Sequence, residues 1–168
     1  DDMTTLAFEM AVRSDLEGLE FEVDHVLEYQ LASIENPDKK KRMAFIIPAL
    51  SRDEDTRDAF FESLKDPQNR EHEPWVQTAL RYLHHPLRAT QAIKYIQPSL
   101  RMLPEIQETG DIFFPMGWLE ATLSGHQSAK ASGIVKIYLN NHPDLDPKLQ
   151  QKVLQAADPL FRAVKLSK

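Results

Sequence analysis

The sequence contains no cysteine and only five glycines among its 168 residues. The lack of cysteine excludes disulfide bonds, thiolate metal sites, iron–sulfur clusters and a cysteine nucleophile. Phosphate-binding loops and dinucleotide-binding fingerprints need clustered glycines, and the sequence has no such cluster. No apolar run approaches the roughly 18 residues that a membrane-spanning helix requires. Most of the functions that a short sequence motif can indicate are therefore excluded.

The histidines also lack the spacing of a helical zinc site. Such a site places two imidazoles four residues apart on one helix face, with a glutamate beside them. No two histidines of this sequence have that separation, and no Gly-x-Ser-x-Gly nucleophile elbow is present. We therefore predict that this chain holds no cofactor, no metal ion and no catalytic residue of its own. The six histidines are His25, His72, His84, His85, His126 and His142.

Charge is distributed unevenly along the chain. The net charge is −6, and residues 1–36 hold ten acidic side chains but one basic side chain. The remaining residues hold sixteen acidic and nineteen basic side chains. A nucleic-acid binder needs a concentrated basic surface, whereas the basic run Lys39-Lys40-Lys41-Arg42 fits the solvated start of a helix. We expect neither nucleic acid nor membrane as a partner.

Apolar residues recur at spacings of three and four, and no stretch alternates like a half-buried strand. Proline, aspartate, asparagine and glycine interrupt the pattern at short intervals, which predicts eight or nine helices of about 10 to 18 residues. Short connectors favour antiparallel neighbours, either in a bundle or in a curved stack of helix pairs, and we prefer the stack. The sequence predicts an all-α fold with one helical domain over 1–168, comprising acidic helices over 1–36 and a helical-repeat body over 37–168.

Capping residues and prolines predict several helix limits. Thr4 or Thr5 is a candidate cap for the first helix. Asp38 is a candidate cap for the helix through the basic run, and Pro48 predicts a kink or a break in it. Asp55 or Thr56 is expected to start the next helix. Two faces of the first helix carry apolar residues four apart, Leu6 with Met10 and Phe8 with Val12. The prolines at 98 and 104 predict a kinked or divided helix. Asp146 precedes a first-turn proline and is the candidate cap of the last helix.

The stretch from Asn69 to Arg88 combines a helix start, an apolar face, a basic end and a proline stop. Pro74 suits the first turn of a helix, where the missing N–H has no partner to lose. His85-Pro86 is expected to close the helix. We expect both tryptophans, Trp75 and Trp118, in core packing rather than in ligand stacking. The predicted buried face comprises Trp75, Val76, Ala79, Leu80 and Leu83.

Several runs resemble a known family. They are Arg42-Met43-Ala44-Phe45-Ile46-Ile47-Pro48-Ala49-Leu50-Ser51, Arg57 to Leu64, Asn69-Arg70-Glu71, Trp75 to Arg88, Gly110-Asp111-Ile112-Phe113-Phe114-Pro115, Trp118-Leu119 and Gly125-His126-Gln127-Ser128. Together they resemble the C-terminal helical region of bacterial zinc aminopeptidases of the aminopeptidase N family, over roughly residues 40 to 165. The acidic beginning matches less clearly.

The resemblance implies a HEAT-like domain that packs against a catalytic domain and walls off a peptide chamber. In that family the zinc ligands lie in the preceding catalytic domain, so zinc belongs to the suspected parent enzyme, whose catalytic domain and peptide substrates are the implied partners. This chain opens Asp1-Asp2-Met3-Thr4, and we expect it to be a piece of a longer polypeptide.

Four polar residues are candidates for facing that chamber, where cations attract a peptide carboxylate. The alternative interpretation, as surface and helix-cap residues, is the favoured one. Two other functions stay open: an independent helical-repeat adaptor that binds a protein or peptide, and a hydrolase with its site scattered over several helices. The four candidates are Arg81, His84, His85 and Arg88.

Overall fold

The computed structural model describes residues 2–17 and 23–167, and its regular elements are all helical, which confirms the all-α prediction. Nine of its helices have ten residues or more, and no described helix is long and apolar enough to cross a membrane. Short 3₁₀ segments cover Pro67–Arg70, Pro86–Arg88 and Ile93–Tyr95. The α-helices are α1 (Asp2–Glu17), α2 (Val23–Ser33), α3 (Pro37–Leu50), α4 (Glu54–Ser63), α5 (Glu73–Leu83), α6 (Ala89–Ala92), α7 (Ile96–Thr109), α8 (Phe114–Leu123), α9 (Ala129–Asn141) and α10 (Pro147–Leu166).

The chain divides into two compact units, with the boundary between Leu87 and Arg88. In the N-terminal unit, α3 packs on α4 and α5, while α1 and α2 pack on each other and on α3. The acidic helices thus share a unit with the helices that follow them. In the C-terminal unit, α10 packs on α8 and α9, and α7 packs on the same two helices. The single domain and the HEAT-like stack of helix pairs stay predictions.

One of the two apolar faces of α1 is buried. Phe8 and Val12 are 5% and 0% exposed, whereas Leu6 and Met10 are 53% and 43% exposed. The Phe8 ring meets the Tyr82 ring of α5 edge-on, with centroids 5.4 Å apart. This contact orients α1 on the N-terminal unit. The helix begins at Asp2, so neither Thr4 nor Thr5 is its cap.

Helix α3 is capped one residue earlier than its proline, by Asn36. The Asn36 side-chain oxygen accepts backbone N–H bonds from Asp38 and Lys39, at 3.0 Å each. The prediction of Asp38 as the cap is therefore wrong, because Pro37 occupies the first helical position and shifts the start forward. Pro48 lies inside α3 without breaking it, and the helix continues to Leu50. All four residues of the basic run are exposed, as predicted.

The corner between α3 and α4 is held by a buried arginine. Arg57, 4% exposed, donates from Nη1 to the backbone oxygens of Ser51 and Arg52, at 2.6 and 2.8 Å. These carbonyls follow the last turn of α3, where a positive charge complements the helix dipole. Asp53 caps α4 from the same corner by accepting the Thr56 N–H at 2.9 Å. Helix α4 therefore begins at Glu54, one or two residues before the predicted start at Asp55 or Thr56.

The same construction recurs thirteen residues later, after α4. Arg70, also 4% exposed, donates from Nη1 to the Leu64 and Lys65 oxygens, at 2.6 and 3.4 Å. Asp66 accepts the Gln68 N–H at 2.9 Å and begins the 3₁₀ segment. In both corners the arginine lies six and five residues beyond its acceptors. The repeated sequence is Arg52-Asp53-Glu54-Asp55-Thr56-Arg57 and Lys65-Asp66-Pro67-Gln68-Asn69-Arg70.

The core of the C-terminal unit is centred on Trp118 of α8, which is 0% exposed. Its Nε1 donates to the Ser99 backbone oxygen of α7 at 3.2 Å, which satisfies the indole N–H inside the core. Helix α7 runs through Pro104 without a break, and Pro98 lies in its first turn. The division of this region occurs at Ile93–Tyr95 instead. As predicted, Asp146 caps α10, accepting from Lys148 and Leu149.

Candidate functional site

Helix α5 supplies the residues that the sequence singles out. His72 precedes it as the N-cap but makes no side-chain capping bond, and Pro74 is its second residue. Four of the five residues predicted for its apolar face are buried, at 1% exposure or less: Val76, Ala79, Leu80 and Leu83.

Trp75 is half-buried rather than fully in the core. The exposed His72 ring stacks on it, with centroids 4.0 Å apart and planes 27° apart. Phe45 of α3 meets Trp75 at 6.1 Å, and Phe60 of α4 meets Phe45 edge-on at 5.6 Å. Trp75 thus joins an aromatic cluster across three helices, with one face covered by a histidine. Core packing is correct for Trp118 and correct only in part for Trp75.

The four candidate residues at the end of α5 occupy different environments. Arg81 lies on α5 and is exposed. His84 is the C-cap of α5 and is 1% exposed, and its backbone N–H donates to the Leu80 oxygen at 2.8 Å. Arg88 begins the C-terminal unit and is 2% exposed there. Burial of His84 and Arg88 favours their interpretation as structural residues. A role of the four residues in a peptide chamber stays a prediction.

His85 lies beside an acidic residue of α1. Its Nε2 is 3.8 Å from the Glu9 carboxylate, and its Nδ1 accepts the Leu87 backbone N–H at 3.3 Å. Because Nδ1 is an acceptor, the ring proton is on Nε2 and faces Glu9. Glu9 also lies 3.7 Å from Arg13 Nε, one turn along α1. The pair therefore links α1 to the end of α5 through polar groups, next to the Phe8–Tyr82 contact.

A cavity of about 80 Å³ opens in the N-terminal unit where α1, α3 and α5 meet the end of α2. Its apolar part is formed by Phe8, Ile34, Met43 and Ile46, and its polar part comes from three helices. Lys39 and Arg42 lie three residues apart on α3, which places them on one helix face. The polar lining residues are Thr4, Thr5, Lys39, Arg42, Thr78 and Tyr82.

The polar lining is rich in hydrogen-bond donors. Thr4 Oγ1 accepts the Gln30 side-chain amide at 3.3 Å, which leaves the hydroxyl proton of Thr4 to be donated. Desolvation raises the pKa of Tyr82, the Glu9 charge raises it further, and Arg42 opposes both, so the phenol stays a neutral donor at physiological pH. Thr78 donates its own proton to the Pro74 oxygen at 2.8 Å. Cations and hydroxyl donors thus surround one end of an apolar hollow.

Among the described residues, no group of three or more histidine, aspartate or glutamate side chains could hold a metal ion. His126, in the connection between α8 and α9, is 2% exposed, and burial lowers its pKa to about 4. It is therefore neutral at physiological pH. Its chemistry is that of a buried structural residue.

Comparisons with protein-family models, with curated proteins and with solved structures find no match to this chain. The sequence patterns also left two features of the N-terminal unit unidentified. The cavity is lined by residues of α1, α3 and α5 that are far apart in sequence, so no local motif predicts it. The buried arginines did have a signal, the six-residue repeat ending in Arg57 and Arg70.

Proposed function

We propose that this chain is the noncatalytic C-terminal helical domain of a zinc-dependent aminopeptidase of the aminopeptidase N family. In this role its HEAT-like helices pack on the catalytic domain and shape access to the peptide cavity. The sequence runs quoted above and the helical fold support the proposal. Zinc and the catalytic residues belong to the preceding domain, and Arg81 and His85 are the less buried candidates for contact with peptide substrates.

The observation that carries the proposal is a pair of exposed apolar residues in one of those runs. Ile112 and Phe113, between α7 and α8, are 74% and 78% exposed. The Asp111 carboxylate accepts the Phe113 N–H at 2.9 Å, so an ordered turn presents both side chains. Adjacent exposed apolar side chains in an ordered turn are typical of a protein contact. We assign this contact to the catalytic domain.

The first test is the coding sequence upstream of Asp1. The proposal requires a His-Glu-x-x-His motif with a downstream glutamate there, and a gene without one overturns it. The 168-residue chain with added zinc is expected to leave aminoacyl-arylamides intact. Hydrolysis by this chain would overturn the noncatalytic assignment.

The second test addresses the contact itself. The upstream segment and this chain are produced as separate polypeptides, and their association is measured by calorimetry. Phe113→Asp is expected to weaken association about tenfold or more, because it places a charge in the apolar contact. The variant suits its position, since Phe113 is 78% exposed and precedes α8, where a negative charge complements the helix dipole. Ile137→Asp is the control, at an apolar residue of α9 that is 58% exposed; equal weakening by both variants would refute the assigned contact.

The cavity in the N-terminal unit favours a second candidate, an independent helical adaptor that binds a peptide. Its donor-rich end suits an acceptor group on a ligand. A complete gene that encodes no upstream metallopeptidase segment would favour this candidate over the first. Retained peptide binding after Arg42→Gln would count against it.

A further inference from the structure

The cavity of the N-terminal unit combines two kinds of surface that favour different parts of one ligand. Phe8, Met43 and Ile46 are 5% exposed or less and form an apolar floor with Ile34. An apolar floor favours a hydrocarbon group over a bare ion, because the ion loses its hydration there. The ligand should therefore carry an aliphatic body.

The polar end of the cavity has an excess of hydrogen-bond donors, which favours a hydrogen-bond acceptor as the polar group of the ligand. Arg42 and Lys39 contribute charged donors, and Tyr82 contributes a hydroxyl whose raised pKa keeps its proton in place. Among the residues that the structure describes, none forms a hydrogen bond or ion pair with the Arg42 side chain, so its guanidinium is available to a ligand. A carboxylate only accepts hydrogen bonds, and its planar shape matches a guanidinium.

The acidic residue beside the cavity does not occupy the cationic end. Glu9 acts on Tyr82 through its charge, but its carboxylate lies against Arg13 and His85, at 3.7 and 3.8 Å. Glu9 is also absent from the residues that line the cavity. Glu9 therefore does not compete with a ligand for Arg42.

We propose that this cavity binds a carboxylate carried on a short aliphatic body, with the carboxylate at Arg42 and Tyr82 and the body on the floor of Phe8, Met43 and Ile46. The volume of about 80 Å³ sets the size of the body. It is about half of an engineered cavity of about 150 Å³ that holds benzene. A chain of three or so carbons therefore fits. The carboxylate belongs either to a free short-chain acid or to the end of a peptide with a small aliphatic residue.

The test is a titration of the 168-residue chain with defined compounds, followed by backbone amide NMR shifts. Butyrate is expected to bind with a Kd of about 1 mM and to shift amides of α1, α3 and α5. Butyramide, which lacks the charge, is expected to bind at least about fivefold more weakly. Inorganic phosphate, which lacks the aliphatic body, should bind more weakly than butyrate. N-acetylvaline identifies the source: tighter binding than butyrate indicates a peptide end, and weaker binding indicates a free acid.

Matched variants of the basic run locate the charge. Arg42→Gln is expected to weaken butyrate binding about fivefold or more, whereas Lys40→Gln, an exposed neighbour outside the cavity lining, should leave it unchanged. Circular dichroism of each variant checks the fold. The proposal is overturned if butyrate gives no saturable shifts, if butyramide or phosphate binds as well as butyrate, or if Lys40→Gln weakens binding as much as Arg42→Gln.

Discussion

The two units bury different sets of polar side chains. In the N-terminal unit, Arg57 and Arg70 bring permanent charges inside and donate to carbonyls at the ends of α3 and α4, and His84 is buried at the end of α5. In the C-terminal unit the first residue, Arg88, is buried, and the other buried polar side chains are neutral at physiological pH: Ser99, Thr122, His126 and Ser132. A guanidinium keeps its charge at every pH at which a protein folds, whereas a buried imidazole can be protonated. We expect the N-terminal unit to be sensitive to loss of its two corner arginines, and the C-terminal unit, where burial lowers the pKa of His126, to be sensitive to acid.

Removing a buried arginine from the N-terminal unit should cause the largest change in stability. Arg70→Met keeps much of the side-chain volume but leaves the Leu64 and Lys65 carbonyls without their charged donor. We expect a loss of about 3 kcal/mol in the free energy of unfolding, because buried acceptors of charged hydrogen bonds are costly to leave unsatisfied. Urea unfolding measures the loss, and amide hydrogen exchange shows whether α3 to α5 open preferentially.

Lys41→Met is the control for this variant, since it removes an exposed cation from the same unit. It should change stability by about 0.5 kcal/mol or less. If Arg70→Met were as mild as the control, the corner arginine would not be a stabilising element of the N-terminal unit.

Acid should produce the next largest effect, in the other unit. Burial lowers the pKa of His126 to about 4 in the folded state, against an ordinary value of 6.5. Between these values the unfolded chain binds more protons than the folded one, so stability is complete above pH 6.5 and falls as the pH drops toward 4. The expected loss from this residue at pH 5 is about 2 kcal/mol.

Hydrogen exchange at pH 7 and pH 5 tests the location of the acid effect. Amides of α8 and α9, which flank His126, should lose protection at pH 5 more than amides of α3 and α4. His126→Asn is expected to remove most of this pH dependence, because an amide does not titrate in this range. An unchanged pH dependence in that variant would assign the acid sensitivity to other groups.

The smallest effect concerns a hydroxyl buried in the C-terminal unit. Ser99 is 1% exposed, and its Oγ has no recorded hydrogen-bond partner in the described part of the chain. Ser99→Ala should raise the free energy of unfolding by about 1 kcal/mol, since it removes an unsatisfied polar atom and favours the helix. The backbone oxygen that accepts from Trp118 is retained. Thermal unfolding measures the gain, and a loss of stability would indicate a partner for the hydroxyl.

The sequence predicts the helices well where the capping residues and prolines agree with the spacing of the apolar residues. In α5, Pro74 lies in the first turn and the residues from Val76 to Leu83 bury the expected face. In α1, the two apolar stripes are equivalent in spacing, and only the contact of Phe8 with Tyr82 decides between them. Helix α3 shows a third case, because Asn36 and Asp38 are both good caps and the proline between them determines which one caps.

The candidate site is less predictable because it depends on contacts between distant parts of the chain. Arg81, His84 and His85 lie within five residues of one another in sequence, but they differ in exposure because the end of α5 turns His84 inward. Arginines are rarely fully buried, so Arg57 and Arg70 are expected at the surface. Their burial follows from carbonyls at helix ends that composition and periodicity do not reveal.

The two arginine corners have a consequence for how the chain tolerates change. Each corner joins groups only six positions apart in sequence, and the chain entropy lost in closing a loop grows with its length. The donor, its acceptors and the aspartate that begins the next segment are all encoded within seven consecutive residues. The bend is therefore specified locally, so the helix on either side of it can be lengthened, shortened or exchanged while the bend is kept.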